Sequence, residues 1–450
     1  MNAMWVSVNS LRRGLYAEHH DELGFLYRQI AHHREEGTLS RERLAEFEWR
    51  LVAHLDGLVL GATLAWREIG ARHDDDDAGH WYAAGLLACV QREDTRFAAL
   101  LQRATHNAAE PAAPALADAL RHAMPSDWSG RLLGWLAEVP QPMLGWIAEV
   151  ASYQLPGCRQ ALERRLQTGV PPSVEWVRAL GRSGAVEAAP WLLDLAQSAA
   201  GPAELRRAAL LALAELGAPQ ILVLVRRAAS ESALAHPVLG LVGARQDVQV
   251  MLRSLEAAPA AETALGLGLL GDLSAAYPLV AALRDEAIGA AAAAALDWIT
   301  GAGLWDAVSG PGDDGERAAD GSDRYQRLRP GASVVPRTGP VVQQISRDPT
   351  RWTRWLEEAA PRFRAGLRYR FGRVYSAPWL VQTLADDALS SGYRRWAGDE
   401  LSIRLAAPQR LDPRASVARQ RSTLQQLGAW ATALGEQYAA DSWMRAGLAS

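Results

Sequence analysis

Leu270-Gly271-Asp272-Leu273-Ser274-Ala275-Ala276-Tyr277-Pro278-Leu279-Val280-Ala281-Ala282-Leu283 is the stretch that decides the fold. An apolar helix ends at a glycine, a short polar turn follows, and proline sits near the start of a second apolar helix. Glycine just past a helix takes the left-handed conformation that other residues resist. Proline in a first turn gives up an N–H that the helix start leaves unpaired anyway. The same join occurs at Gly181, Gly217, Gly243, Gly271 and Gly301, spaced 36, 26, 28 and 30 residues apart, with Pro190, Pro219 and Pro278 opening the following helices. One such hairpin cannot bury its apolar face alone, whereas stacked copies can. The pattern therefore predicts an all-α chain built as an α-solenoid.

Outward from this core the periodicity stays helical. Pro111, Pro140 and Pro171 punctuate more diverged hairpins from His80 onward. Leu23, Leu26, Tyr27 and Ile30, and then Leu44, Phe47, Leu51, Leu55 and Leu58, predict an N-terminal helical pair. Thr38-Leu39-Ser40 reads as the start of its second helix. Glycine, proline and aspartate crowd the stretch after Val308. The expected organisation is a helical region over 1–72, a repeat array over 78–308, a loop or linker over 309–340, and an Arg-rich helical region over 341–450. The chain before Pro340 carries net −10 and the rest net +6. Docking of the tail on the body, or a polarised partner surface, follows from that asymmetry.

At 450 residues the chain holds several domains or one long array. Its 49% hydrophobic and 22% charged residues exclude wholesale disorder. No lysine occurs, so all 47 basic residues are arginine. That excludes a P-loop lysine, a kinase lysine and a Schiff-base lysine. Cys89 and Cys158 are too few for a disulfide framework or a zinc site. Met1–Tyr16 lacks the apolar core of a signal peptide. The longest apolar run, Ala287–Leu296, is too short to span a bilayer. A cytoplasmic location is the expectation.

Gly266-Leu267-Gly268-Leu269-Leu270-Gly271 matches the dinucleotide pattern but lies within a helix rather than after a strand. His73, Asp74-Asp75-Asp76-Asp77 and His80 lack EF-hand spacing and read as a solvated loop that caps a helix. The doublets His19-His20 and His32-His33 are too far apart on one helix to share a metal. Adjacent carboxylates such as Glu35-Glu36, Glu357-Glu358 and Asp386-Asp387 diverge on a helix. Arg362–Arg373 interleaves arginine with aromatics, as nucleic-acid grooves do. The preferred reading is that its rings pack and its arginines pair with the acidic body. Trp191, Trp298 and Trp305 suit hairpin contacts or interface anchors. No catalytic, cofactor or metal residues are expected.

The turn at Leu270–Leu283, and Ala179–Leu192 with a longer turn, resemble HEAT-like repeats of the phycobilisome-lyase type. Glu18–Tyr27 followed by Leu44–Leu58 resembles the opening of a bacterial HEAT-repeat family. Arg370-Phe371-Gly372-Arg373, Pro378-Trp379-Leu380, Arg394-Arg395-Trp396-Ala397 and Asp412-Pro413-Arg414-Ala415 are similar to that family's C-terminal block. The family is often encoded with type VI secretion toxin and PAAR-spike genes. The resemblance implies a non-enzymatic immunity protein that binds and neutralises an effector toxin, such as a nuclease. An adaptor that loads effectors onto the spike is the alternative, and a HEAT-like DNA-binding enzyme such as a glycosylase is the rival of another class. A partner surface on the second helix of each hairpin would use Trp191, Asp194, Arg226, Arg227, Arg253 and Arg284, on the assumption that those helices line the concave side.

Overall fold

The computed structural model describes residues 8–37, 39–71, 76–106, 110–218, 220–309, 341–435, 444–445 and 448–449. Among them are twenty-one α-helices and three small antiparallel ladders, an all-α solenoid. The N-terminal pair is α1 (Val8–Glu36) and α2 (Arg41–Ala71). Ser40 starts α2 by accepting a hydrogen bond from the Arg43 N–H at 3.3 Å, while Thr38 lies outside the described residues. The hairpins follow as α3 (Ala78–Val90) with α4 (Asp94–His106), and α5 (Ala112–Ala123) with α6 (Ser129–Glu138). Next come α7 (Met143–Gln154) with α8 (Arg159–Leu166), and α9 (Val174–Arg182) with α10 (Ala189–Gln197). Then come α11 (Ala203–Glu215) with α12 (Ile221–Glu231), and α13 (His236–Val242) with α14 (Val248–Ala257). The last are α15 (Ala261–Leu270) with α16 (Ala276–Ala282), and the single helix α17 (Gly289–Thr300).

The first helices pack side by side in one row, α1 on α3, α3 on α5, and so on to α17. The second helices form the other layer. Burial separates the two. Most residues of α3, α5, α13 and α17 are buried, and these helices are apolar or small on most sides, with a few buried polar residues such as His80, Asp118, Arg121 and His236. Helices α12 and α14 bury a single stripe, Ile221, Leu224, Val225 and Ala229 in one and Val248, Met251 and Leu255 in the other.

The recurring glycines divide into two roles. Gly217, Gly271 and Gly301 have left-handed φ of 66°, 76° and 60°. Gly181 and Gly243 depart from the expectation. Gly181 is inside α9, where a methyl group would lie 2.6 Å from Ala212 Cα, and the left-handed residue is Gly184. Gly243 is extended, with φ −69° and ψ 165°. Gly266 and Gly268, of the dinucleotide-like pattern, lie within α15 at contacts with α13 and α17. A methyl on Gly266 would meet His236 O at 2.5 Å. Pro190 and Pro278 lie in the first turns of α10 and α16, and Pro219 lies outside the described residues.

After α17 the chain forms β1 (Trp305–Ser309), which pairs antiparallel with β2 (Val341–Ile345), Trp305 opposite Ile345. Residues 310–340, most of the Gly/Pro/Asp-rich segment, lie outside the described residues. The tail then builds α18 (Pro349–Ala359), the short hairpin β3 (Tyr369–Arg370) and β4 (Arg373–Val374), α19 (Ala377–Ala385), α20 (Ser391–Ile403) and α21 (Val417–Gly435), with β5 (Met444–Arg445) and β6 (Leu448–Ala449) last. It has a small core of its own, Leu380, Val381, Leu384, Tyr393, Ala397, Leu401, Leu427 and Ala431, into which α17 inserts Trp298. The Trp298 ring stacks on Tyr393 at 5.2 Å and meets Phe371 and Trp396 edge-on.

The tail also sets the shape. Helix α20 touches α1, α11 and α13. In a straight row α1 and α13 would lie about 50 Å apart at ~9 Å per helix, whereas α20 is about 20 Å long. The row therefore bends around the tail, and the first helices, not the second, face inward. The expectation that second helices line the inner surface is corrected here. The inward side must receive the wide row of small-residue helices, and the second helices, each with one apolar stripe, remain outside.

Gly266→Ala should destabilise the fold by about 1–3 kcal/mol through overpacking of α13 against α15. Gly134→Ala, in α6 with open space around it, should stabilise by about 0.5–1 kcal/mol. Urea unfolding of the two variants checks both signs.

Candidate interaction surfaces

The inner face is built from arginines that end helices. An α-helix leaves its last carbonyls without intrahelical donors and carries partial negative charge there. Arg368 donates to Leu269 O, and Arg370 donates to Gly268 O and Leu269 O, at the end of α15. Arg404 donates to Leu241 O at 2.8 Å and Gly243 O at 3.0 Å, at the end of α13. Arg419 donates to Arg121 O at 2.8 Å, at the end of α5. Backbone N–H groups do the same for α17, Phe371 N to Trp298 O at 2.8 Å and Gly372 N to Ile299 O at 3.0 Å.

Behind these caps lies Glu400, fully buried, with both Arg368 and Arg370 on its carboxylate. The aromatic-interleaved segment therefore packs its rings, Phe363 against Tyr369 and Phe371 against Trp298. Its buried arginines differ from expectation: they pair with the tail's own Glu400 and with array carbonyls, not with acidic side chains of the body. At that depth the tail brings its own carboxylate, Glu400, and helix-end carbonyls already in place accept further guanidinium donors.

Other tail residues do engage body side chains. Arg414 pairs with Asp118 at 2.6 Å, Asp412 with Arg121 at 2.9 Å, Arg410 with Glu215 at 3.0 Å and Asp399 with Arg178 at 3.3 Å. Burial pushes the Asp118 carboxyl up, but the guanidiniums of Arg414 and Arg121 outweigh it and hold it at about 2. Tyr27 of α1 also donates to Asp118, at 3.0 Å. Beside this group half-buried His122 lies between Tyr82 Oη at 2.7 Å, Arg414 O at 2.9 Å and Arg34 at 3.3 Å. Burial, then the Arg34 charge, pushes its imidazole down to about 3.

The tail also grips the N-terminal pair. Arg41 donates to Leu384 O and Ala385 O, at the end of α19, both at 2.9 Å, and pairs with Asp387 at 2.6 Å. Glu48 accepts from Val417 N at 3.0 Å and pairs with Arg34 at 2.5 Å. None of these contacts was apparent from the sequence. The one available sign was the excess of arginine in the tail.

The six residues proposed from the sequence all lie on the outer layer or in its turns. Arg226 is half-buried and bidentate to Asp247, at 2.7 and 2.9 Å, which joins successive hairpins. Arg227 pairs with Glu231 on its own helix at 3.3 Å. Asp194 and Arg253 are exposed, and Trp191 is half-buried. Arg284 is exposed and lines a shallow groove of about 390 Å³ with Pro349, Thr350, Thr353, Arg354 and Glu357. The six do not converge on one spot.

Exposed apolar side chains occur singly on the outer layer, at Val223 and Tyr277, and are more numerous on the N-terminal pair. Leu11, Leu15 and Phe25 of α1 and Trp49, Val52 and Leu60 of α2 are exposed, Trp49 by 74% and Leu60 by 84%. Helical spacing had marked these helices for their buried stripes, and Leu23, Leu26, Leu44, Leu51, Leu55 and Leu58 are indeed buried. The outward apolar residues fall outside that stripe. Of the acidic loop, Asp77 caps α3 by accepting from Gly79 N at 2.8 Å, and His80 is buried against Arg103. His73, Asp74 and Asp75 lie outside the described residues. Cys89 and Cys158 are buried free thiols. No described helix is long and apolar enough to cross a membrane. No protein-family model, curated protein or solved structure matches the chain.

Glu400→Gln should cost about 3–5 kcal/mol, the penalty for leaving buried guanidiniums without their carboxylate; thermal unfolding reads it. Stability should also fall in acid. His122 sits below its unfolded pKa of about 6.5, so the unfolded chain binds the extra proton and stability drops as pH falls below about 6.5 towards 3. Asp118 adds its loss only below about 4. Replacing His122 with Gln should remove up to ~1.4 kcal/mol per pH unit from the slope between pH 6 and 4. Urea midpoints across that range measure it.

Proposed function

We propose that the protein is a non-enzymatic scaffold that binds another protein on its outside, and that the partner is an effector toxin of the type VI secretion system. The partner class comes from the resemblance of Glu18–Tyr27, Leu44–Leu58 and the C-terminal block to a family encoded beside such toxins. The observation that carries the binding reading is the exposed apolar set on α1 and α2. Exposed Trp and Leu side chains are the groups that anchor protein interfaces.

The inner face, where solenoids usually hold partners, is filled by the chain's own tail. A partner therefore meets the N-terminal pair or the outer helices. Few body carboxylates meet tail arginines, Asp118 with Arg414 and Glu215 with Arg410 among them, so the acidic excess of the body adds attraction for a basic toxin to the apolar contact.

Co-production with each toxin-type protein encoded beside its gene tests the reading. One toxin should be neutralised in a growth assay and should copurify as a stoichiometric complex. Trp49→Ala should weaken that complex at least tenfold, about 1.4 kcal/mol or more. Arg227→Ala, whose charge is already paired on its own helix, should change affinity less than threefold. Growth inhibition unchanged for every toxin, with no complex by calorimetry, overturns the proposal. A complex that ignores Trp49 moves the site to the outer helices.

A further inference from the structure

We infer that His19 and His54 form an open transition-metal site that clamps α1 to α2. Their Nδ1 atoms are hydrogen-bonded across the helix pair at 3.2 Å, one ring donating and the other accepting, and an ion would take the place of the shared proton. The rings are 5.3 Å apart at 67° to each other. Two imidazoles on a tetrahedral ion, with bonds of about 2.0–2.1 Å, hold their nitrogens about 3.3 Å apart. The pair already has that bite.

The ring of His19 is also held in place. Gly57 of α2 lies directly beneath it, and a methyl there would be 2.6 Å from His19 Nε2 and Cδ2. Glycine inside a helix costs about 1 kcal/mol relative to alanine. Here it creates the room that lets Nε2 sit against the backbone and turns Nδ1 towards His54. Both rings are half-buried, so an ion can reach them from solvent.

Imidazole nitrogens select zinc, copper(II) or nickel over calcium and magnesium. Among the described residues no third histidine, cysteine or carboxylate completes the set. Water, or a group from another molecule, takes the remaining positions. The inference does not depend on the protein-binding proposal.

Chelator-treated full-length protein, titrated with zinc ion by calorimetry at pH 7.5, tests it. One zinc per chain is expected at micromolar concentration, with a rise in Tm. His19→Ala and His54→Ala should each weaken binding at least tenfold, and Gly57→Ala should weaken it with both histidines retained. The double variant His32→Ala/His33→Ala should bind as the parent does. Lowering the pH to 5.5 should release the ion. Absence of binding at 100 μM zinc, or equal binding by folded His54→Ala or His54→Asn, overturns the site.

Discussion

Helix ends govern this molecule. A row of nearly parallel first helices brings many C-terminal carbonyls to one side, each an acceptor without an intrahelical donor and each carrying partial negative charge. Leaving them dry and unpaired would cost about 1–3 kcal/mol apiece. The tail meets this constraint with guanidiniums, which offer several donors in a fixed planar fork and never lose their charge. Arg368 and Arg370 end α15, Arg404 ends α13, and Arg419 ends α5. Arg41 returns the same service to the tail's own α19.

The arrangement explains how three arginines can be fully buried beside a single carboxylate. Arg368, Arg370, Arg404 and Glu400 have essentially no solvent exposure. Formally the group carries a net charge of +2. The ends of α13 and α15 each supply roughly half a negative charge, and their carbonyls accept the donors that Glu400 cannot. The cluster is thus compensated partly by backbone. Glu400 still matters most, because it is the one full negative charge in contact with two of the arginines.

Closure of the array follows from the same contacts. The tail leaves α17 through Trp298 and the β3–β4 hairpin, crosses the inward helices, and reaches α1 and α2 at Arg41 and Glu48. Residues more than 340 positions apart are joined there. Such distant contacts are slow to form because a long loop must close first. Once formed, they turn an open stack, whose inner surface would be free, into a filled one. The surface proposed for binding is then the set of exposed apolar residues on the N-terminal pair.

Sequence alone determined the elements. Helical periodicity placed the buried stripes of α1 and α2, and glycine at Gly217, Gly271 and Gly301 marked helix ends, because only local geometry is involved in either. It placed Gly181 and Gly243 in the same class, although one is a packing residue and the other extended, since a glycine required by a neighbouring helix looks the same as one required by φ. The charge asymmetry pointed to tail docking, and no pattern in the sequence told which carbonyl each arginine would meet. Nor could it tell which helix layer faces inward, or that the tail would occupy that side. Those are decided by the curvature of the row and by contacts across hundreds of residues, which tertiary packing sets and local propensity does not encode.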